Sequence, residues 1–238
     1  MEIAILMAAG LGSRMLPLTE TVPKPLVRVR GVPLIETVIE GLNQRELDYI
    51  YVVVGYLKEQ FLYLENKYDN VILIENSEYE KKNNISSIYA VKDIMGSSDC
   101  FVCEADLYVA DRSVFLNRVE SSCYFGKMKK GYSDDWIFEM DGDYIKRVKK
   151  GGYNNYNMVG VSYLKKKDAK IIRDAVVEAY RVPGHENLFW DEIVDQKLKD
   201  INLHILEIQE GQIIEIDTVE ELDIVNNEEI KLCMQKIL

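Results

Sequence analysis

The chain has 238 residues, enough to bury a substantial core as one domain, and sets 29 Lys plus Arg against 40 Asp plus Glu for a net charge of −11. A surface of that sign repels polyphosphate backbones and argues against nucleic acid, although Mg²⁺ and local basic groups can still neutralise a mononucleotide. No apolar run reaches the ~20 residues that span a bilayer, and no basic stretch followed by an apolar one opens the chain, so no membrane partner and a cytosolic location are expected.

Glu2-Ile3-Ala4-Ile5-Leu6 is short and apolar and predicts a buried strand. The chain then runs into Met7-Ala8-Ala9-Gly10-Leu11-Gly12-Ser13-Arg14, and Pro17, Pro23 and Pro25 bar an ordinary helix interior behind it. Ala8, Ala9, Gly10, Gly12 and Ser13 have almost no side chain to hold off a ligand, so their N–H groups can approach phosphate oxygens. Arg14 can bridge two such oxygens with its planar fork, and Lys24, between two prolines, adds a point charge. This reads as a nucleoside triphosphate cradle; Gly-x-Gly alone would equally fit a tight turn beside a chance arginine. A dinucleotide fingerprint needs a glycine where Met15 stands, and a Walker loop needs Ser or Thr where Pro25 follows Lys24.

Residues 33–47 show a helical stripe of Leu34, Ile35, Val38, Ile39 and Leu42 behind a proline. A strand over 49–54, a helix over 58–68, a strand over 71–74, a helix over 84–95 capped by Asn84, and a strand over 99–106 continue the alternation. Repeated strand–helix–strand units predict an α/β fold, a mostly parallel Rossmann-like sheet with helices on both faces. Cys100 and Cys103 lie in the last of these strands. Residues three apart in a strand face opposite sides, and no histidine or second cysteine pair follows at zinc-site spacing, so both are expected in the core.

The second half changes character, with short strand-like runs at 123–128, 136–140, 144–148 and 158–164 and a turn at Asp141-Gly142-Asp143. Helices are expected over 167–181 and 187–198, then a closing hairpin of 203–208 with 212–216, then a helix from Val219. His185 reads as a loop residue and His204 as a strand residue, neither with a nucleophile beside it. The whole chain is taken as one domain, residues 1–120 mainly binding nucleotide and 121–238, with a small β-rich lobe, mainly binding an acceptor.

Ligands of open α/β sheets collect beyond the carboxyl ends of strands. The cradle at Ala8, Glu104-Ala105-Asp106 and Glu215-Ile216-Asp217 all end strands. Asp106 and Asp217 therefore suit a Mg²⁺ ion, which takes one or two carboxylates plus phosphate and water; alternatively, Asp217 caps the next element. In Asn83-Asn84-Ile85-Ser86-Ser87 the amides and short hydroxyls can meet a base or ribose. With the cradle, Asn84, Ser87, Glu104 and Ala105 make up the expected nucleotide-binding set. Tyr132, Trp136, Phe189 and Trp190 lie close in sequence to Asp134, Asp135 and Asp191, a composition that suits a quaternary ammonium. Ordinary core packing of Phe189 and Trp190 beside Ile193 and Val194 explains the same residues.

Taken together, the strand and Ala-Ala-Gly-Leu-Gly-Ser-Arg-Met-x-Pro-Leu-Thr, with Pro-Lys-Pro-Leu behind them, resemble the signature of the sugar-phosphate nucleotidyltransferases. Gly55-Tyr56-Leu57-Lys58-Glu59-Gln60-Phe61, Asn83 to Ser87 and Phe189-Trp190-Asp191 resemble its small bacterial branch, the CTP:phosphocholine cytidylyltransferases. The resemblance implies transfer of CMP from CTP to phosphocholine without a covalent intermediate, Arg14, Lys24, Asp106 and Asp217 being catalytic. It also implies Mg²⁺ on Asp106 and Asp217, and a headgroup held by Tyr132, Trp136, Phe189, Trp190, Asp191 and Glu215. Asp134, Asp135 and Asp191 keep primary-amine acceptors open, 2-aminoethylphosphonate and phosphoethanolamine among them. Sugar phosphates are less favoured because no sugar-hydroxyl motif accompanies the signature. A nucleotide-binding regulatory subunit is the non-enzymatic alternative.

Overall fold

The computed structural model describes residues 1–235, with side chains through Asn227. β1 (Glu2–Ala8) lies within a seven-stranded sheet, Ile3 to Leu6 fully buried. A small corner, β2 (Arg28–Val29) against β3 (Val32–Pro33), leads into α1 (Leu34–Asn43), which buries the stripe seen in sequence. β4 (Tyr49–Val54) pairs parallel to β1, and β5 (Val71–Glu75) extends the sheet in the same sense. Between them the expected helix is a 3-10 turn, Lys58–Phe61, then a single short helix, α2 (Tyr63–Lys67), because only Phe61 and Leu64 reach the core.

α3 (Ile85–Ala90) stops short of Met95: Val91 leaves helical geometry, and the chain turns at Gly96 with φ +85. β6 (Asp99–Glu104) then pairs parallel to β1 on its other side, and β7 (Leu107–Val109) follows it. Cys100 and Cys103 face the two opposite cores, as strand alternation requires.

The short strands expected in the second half are parts of two long ones, β8 (Cys123–Asp141) and β9 (Tyr144–Leu164), joined at Gly142-Asp143. Register shifts bend β8 back on itself, so Lys127 and Met128, then Ile137 and Phe138, flank the same Tyr156-Asn157 stretch of β9. That folded hairpin is the β-rich lobe. α4 (Lys166–Ala179) and α5 (Trp190–Lys197) pack on the sheet face that carries α3, opposite α1 and α2.

The expected closing hairpin does not form. β10 (His204–Glu207) joins the main sheet parallel to β8, whereas β11 (Ile213–Glu215) pairs antiparallel with β7 in a separate ribbon. Ile213 packs with Val109 in the α1-side core, which draws β11 away from β10. α6 (Val219–Gln235) closes the described chain. The main sheet runs β10–β8–β9–β6–β1–β4–β5, with β9 alone antiparallel to its neighbours. Among the described residues no helix is long and apolar enough to cross a membrane.

Candidate active site

The carboxyl ends of β1 and β6 open on one cavity of about 360 Å³; Glu215 and Asp217, from the end of β11, do not line it, and Asp217 meets it through ion pairs to the lining residues Arg14 and Lys24. Ala8, Ala9, Gly10, Gly12, Ser13, Arg14 and Lys24 line it, with Asn84 and Ser87 from the α3 segment and Glu104 and Asp106 from the end of β6. Ala105 does not reach it: fully buried, it donates its N–H to the Met7 carbonyl and sits behind the wall. Gly12 has φ +64, and a Cβ there would lie 2.9 Å from the Lys24 Cβ. A Cβ on Gly10 would meet nothing within 4 Å, so that space opens to a ligand. Met15, which replaces the dinucleotide glycine, anchors the loop in a small core with Val27, Ile216 and Leu222.

Antiparallel pairing of Leu107 with Glu215 sets Asp106 beside Asp217. The Lys24 ammonium lies between them, donating to Asp106 Oδ2 at 2.7 Å and Asp217 Oδ1 at 2.6 Å. Arg14 donates to the other oxygen of Asp217 at 2.5 Å. Burial would lower the Lys24 pKa, but the charges and hydrogen bonds of the two aspartates outweigh it and raise the value. The capping role at α6 falls to Thr218 and Glu221, which exchange backbone hydrogen bonds and leave the Asp217 carboxylate to the site.

Among the described residues no three His, Cys, Asp or Glu form a metal cage. Two carboxylates that already converge on one cation do fit a Mg²⁺ ion that arrives with phosphate oxygens and water. The charge balance agrees. Burial, then the charges of Asp106, Glu215 and Asp191, push Glu104 well above the usual carboxylate range. Burial, then Asp217 and Asp106, push Glu215 up to about 7. Glu215 keeps surface open to water. The site is short of positive charge.

The residues expected around a headgroup separate. Trp136 and Phe189 meet edge to face, centroids 5.5 Å apart. Trp190 is a core side chain instead, 3% exposed against Tyr124, Ile193 and Val194, because the first turn of α5 points it into the sheet. Tyr132 is exposed on the hairpin and has Tyr153 as its ring partner. Asp191 is 3% exposed, accepts the Tyr124 hydroxyl at 2.9 Å, and is pushed up to about 7 by burial. It shares a void of about 10 Å³ with Glu104, where Gly160, at φ +71, makes room for the Glu104 carboxyl.

Asn84 does not cap α3. Already helical itself (φ −63, ψ −12), it accepts the Trp190 N–H at 2.9 Å and so ties the nucleotide wall to the first turn of α5. Asn83 and Ser86 of the expected polar run line the cavity too, and Asn76, Tyr79 and Lys82, which the sequence reading does not nominate, join them. Asn76 follows β5 directly, so the strand-end rule that selected Asp106 would have found it.

A strand-end phosphate floor and paired aspartates around a lysine, on a mostly parallel sheet, define a nucleotidyltransferase. Residues 4–122 match the family described as a MobA-like NTP transferase domain. A 2-aminoethylphosphonate cytidylyltransferase of Lancefieldella rimae is 50% identical over 92% of this chain and 89% of its own. A choline-phosphate cytidylyltransferase of Streptococcus pneumoniae is 35% identical over 92% and 94%. The solved CTP:phosphocholine cytidylyltransferase of Streptococcus pneumoniae superposes with a TM-score of 0.88 at 33% identity, covering 96% of this chain and 99% of that one. The chain belongs to this nucleotidyltransferase family, and within it to the cytidylyltransferases.

Proposed function

We propose that the chain transfers CMP from CTP to 2-aminoethylphosphonate, releasing pyrophosphate, with Mg²⁺ as cofactor. The observation that carries the acceptor is the set of carboxylates beyond the metal pair: Glu104 feels the charges of both Glu215 and Asp191. A primary ammonium satisfies such groups with charge-assisted hydrogen bonds, which a trimethylammonium cannot donate. The 50% identical relative, named for this acceptor, supports the same choice.

In this reading an ionised phosphonate oxygen attacks the α-phosphorus of CTP. The new P–O bond forms as the bond to pyrophosphate breaks, and no proton has to be removed from the nucleophile. The chain's work is positioning and charge stabilisation. The backbone of Ala8 to Ser13, with Arg14 and Lys24, holds the triphosphate, and Lys24 and Arg14 face the charge that develops on the leaving group. The Asn84 amide, its oxygen engaged by Trp190, offers its NH₂ to the nucleotide. Asp106 and Asp217 would hold Mg²⁺, which when bound withdraws charge from the α-phosphate.

Phosphocholine is the second reading, favoured by the Trp136–Phe189 pair and by the relative at 35% identity. Pyrophosphate release with CTP, Mg²⁺ and a panel of acceptors decides between them. The expected kcat/KM is at least about tenfold higher for 2-aminoethylphosphonate than for phosphocholine, a difference of ~1.4 kcal/mol. The opposite order moves the assignment to phosphocholine. No release with any acceptor leaves a regulatory nucleotide-binding subunit.

A further inference from the structure

The Trp136–Phe189 pair, expected at the acceptor, already holds a cation from the chain itself. The Lys150 ammonium lies 5.4 Å from the Trp136 ring centroid and 5.1 Å from that of Phe189. Its neighbours on β9 behave otherwise: Arg147 pairs with Asp195, and Lys149 with Glu139. Lys150 is in none of the ion pairs found among the described residues; its charge is directed at the two rings. Trp136 faces Lys150 directly across the β8–β9 ladder, so the contact is set by strand register.

We propose that Lys150 is a specificity-determining residue, whose ammonium occupies the Trp136–Phe189 pair and excludes acceptors carrying a quaternary ammonium. The inference rests on the acceptor reading above. A trimethylammonium group has no N–H, so aromatic faces are its main means of recognition. It must either displace Lys150 from those faces or bind beside a like charge, and both weaken it. A primary ammonium bypasses the rings and uses the accessible carboxylates Glu104 and Glu215. Discrimination then comes from a repulsive element aimed at one competitor rather than from added affinity for the other.

Lys150→Met keeps the aliphatic stem and removes the charge; Lys150→Arg keeps a cation able to lie over the rings. Lys150 is exposed, and both variants are expected to fold. The first measurement is kcat/KM for phosphocholine, expected to rise about tenfold in Lys150→Met and to stay at the wild-type value in Lys150→Arg. The second is tetramethylammonium binding followed by tryptophan fluorescence, which requires no turnover. Trp136 is its reporter, and the buried Trp190 gives a constant background. Binding about tenfold tighter in Lys150→Met than in wild type supports the proposal, and equal binding overturns it. Phosphocholine kcat/KM that falls or stays level in Lys150→Met overturns it as well. If tetramethylammonium binding tightens while wild type turns over neither acceptor, the role of Lys150 at the rings stands and the acceptor reading falls.

Discussion

Lys24 shows how a single residue decides what two others can do. Asp106 and Asp217 come from distant parts of the chain, and each would repel the other at the separation the ribbon imposes. The ammonium between them, 5% exposed, donates to both carboxylates and aims them at one point. In the proposed reaction the same two carboxylates would hold a divalent cation, leaving the Lys24 charge to the phosphates. Asp106→Asn keeps the shape and removes one charge from that point. Turnover is expected to fall at least about 10²-fold, with the far-ultraviolet circular dichroism spectrum unchanged. Pyrophosphate release at near-normal rate and ordinary Mg²⁺ would remove Asp106 from the metal.

At the scale of elements, the cradle separates glycines that serve the fold from glycines that serve the ligand. Gly12→Ala puts a left-handed backbone position under an L side chain and a Cβ against Lys24, so a loss of about 1–2 kcal/mol in urea denaturation is expected. Gly10→Ala meets no protein atom, and its stability is expected to match wild type while KM for CTP rises. Equal stability losses in the two variants would show that the loop is merely a turn. The same contrast explains what was legible in the sequence. Local periodicity is enough to place β1, α1, β4 and β6, and strand ends are enough to nominate Ala8, Asp106 and Asp217. Pairing between distant elements leaves no local trace. The run Gln209-Glu210-Gly211 reads as a hairpin turn, yet β11 leaves β10 to pack Ile213 beside Val109. Residue type leaves Phe189 and Trp190 open between headgroup ligands and core; helical geometry sends Phe189 to Trp136 and Trp190 into the core. Lys150 went unnoticed because nothing in its own stretch of sequence announces that Trp136 lies across the ladder.

For the molecule as a whole, the cluster of carboxylates beside Lys24 is a place where stability is given up. A chain of net charge −11 gathers Asp106 and Asp217 on Lys24 and Arg14 and sets Glu104, Glu215 and Asp191 close behind them. Asp191 makes the consequence measurable. Its pKa is about 7 in the fold because it is buried, against an ordinary carboxylate value when unfolded. Between those two values the folded state keeps a proton that the unfolded state has lost, so stability falls as pH rises from about 4 through 7. The full shift corresponds to at most roughly 4 kcal/mol. Asp191→Asn keeps an acceptor for the Tyr124 hydroxyl and removes the titration. Its thermal midpoint is expected to equal that of wild type near pH 4 and to exceed it by several degrees at pH 8. A variant that melts with wild type at both pH values would mean that burial leaves the Asp191 titration where it is in the unfolded chain.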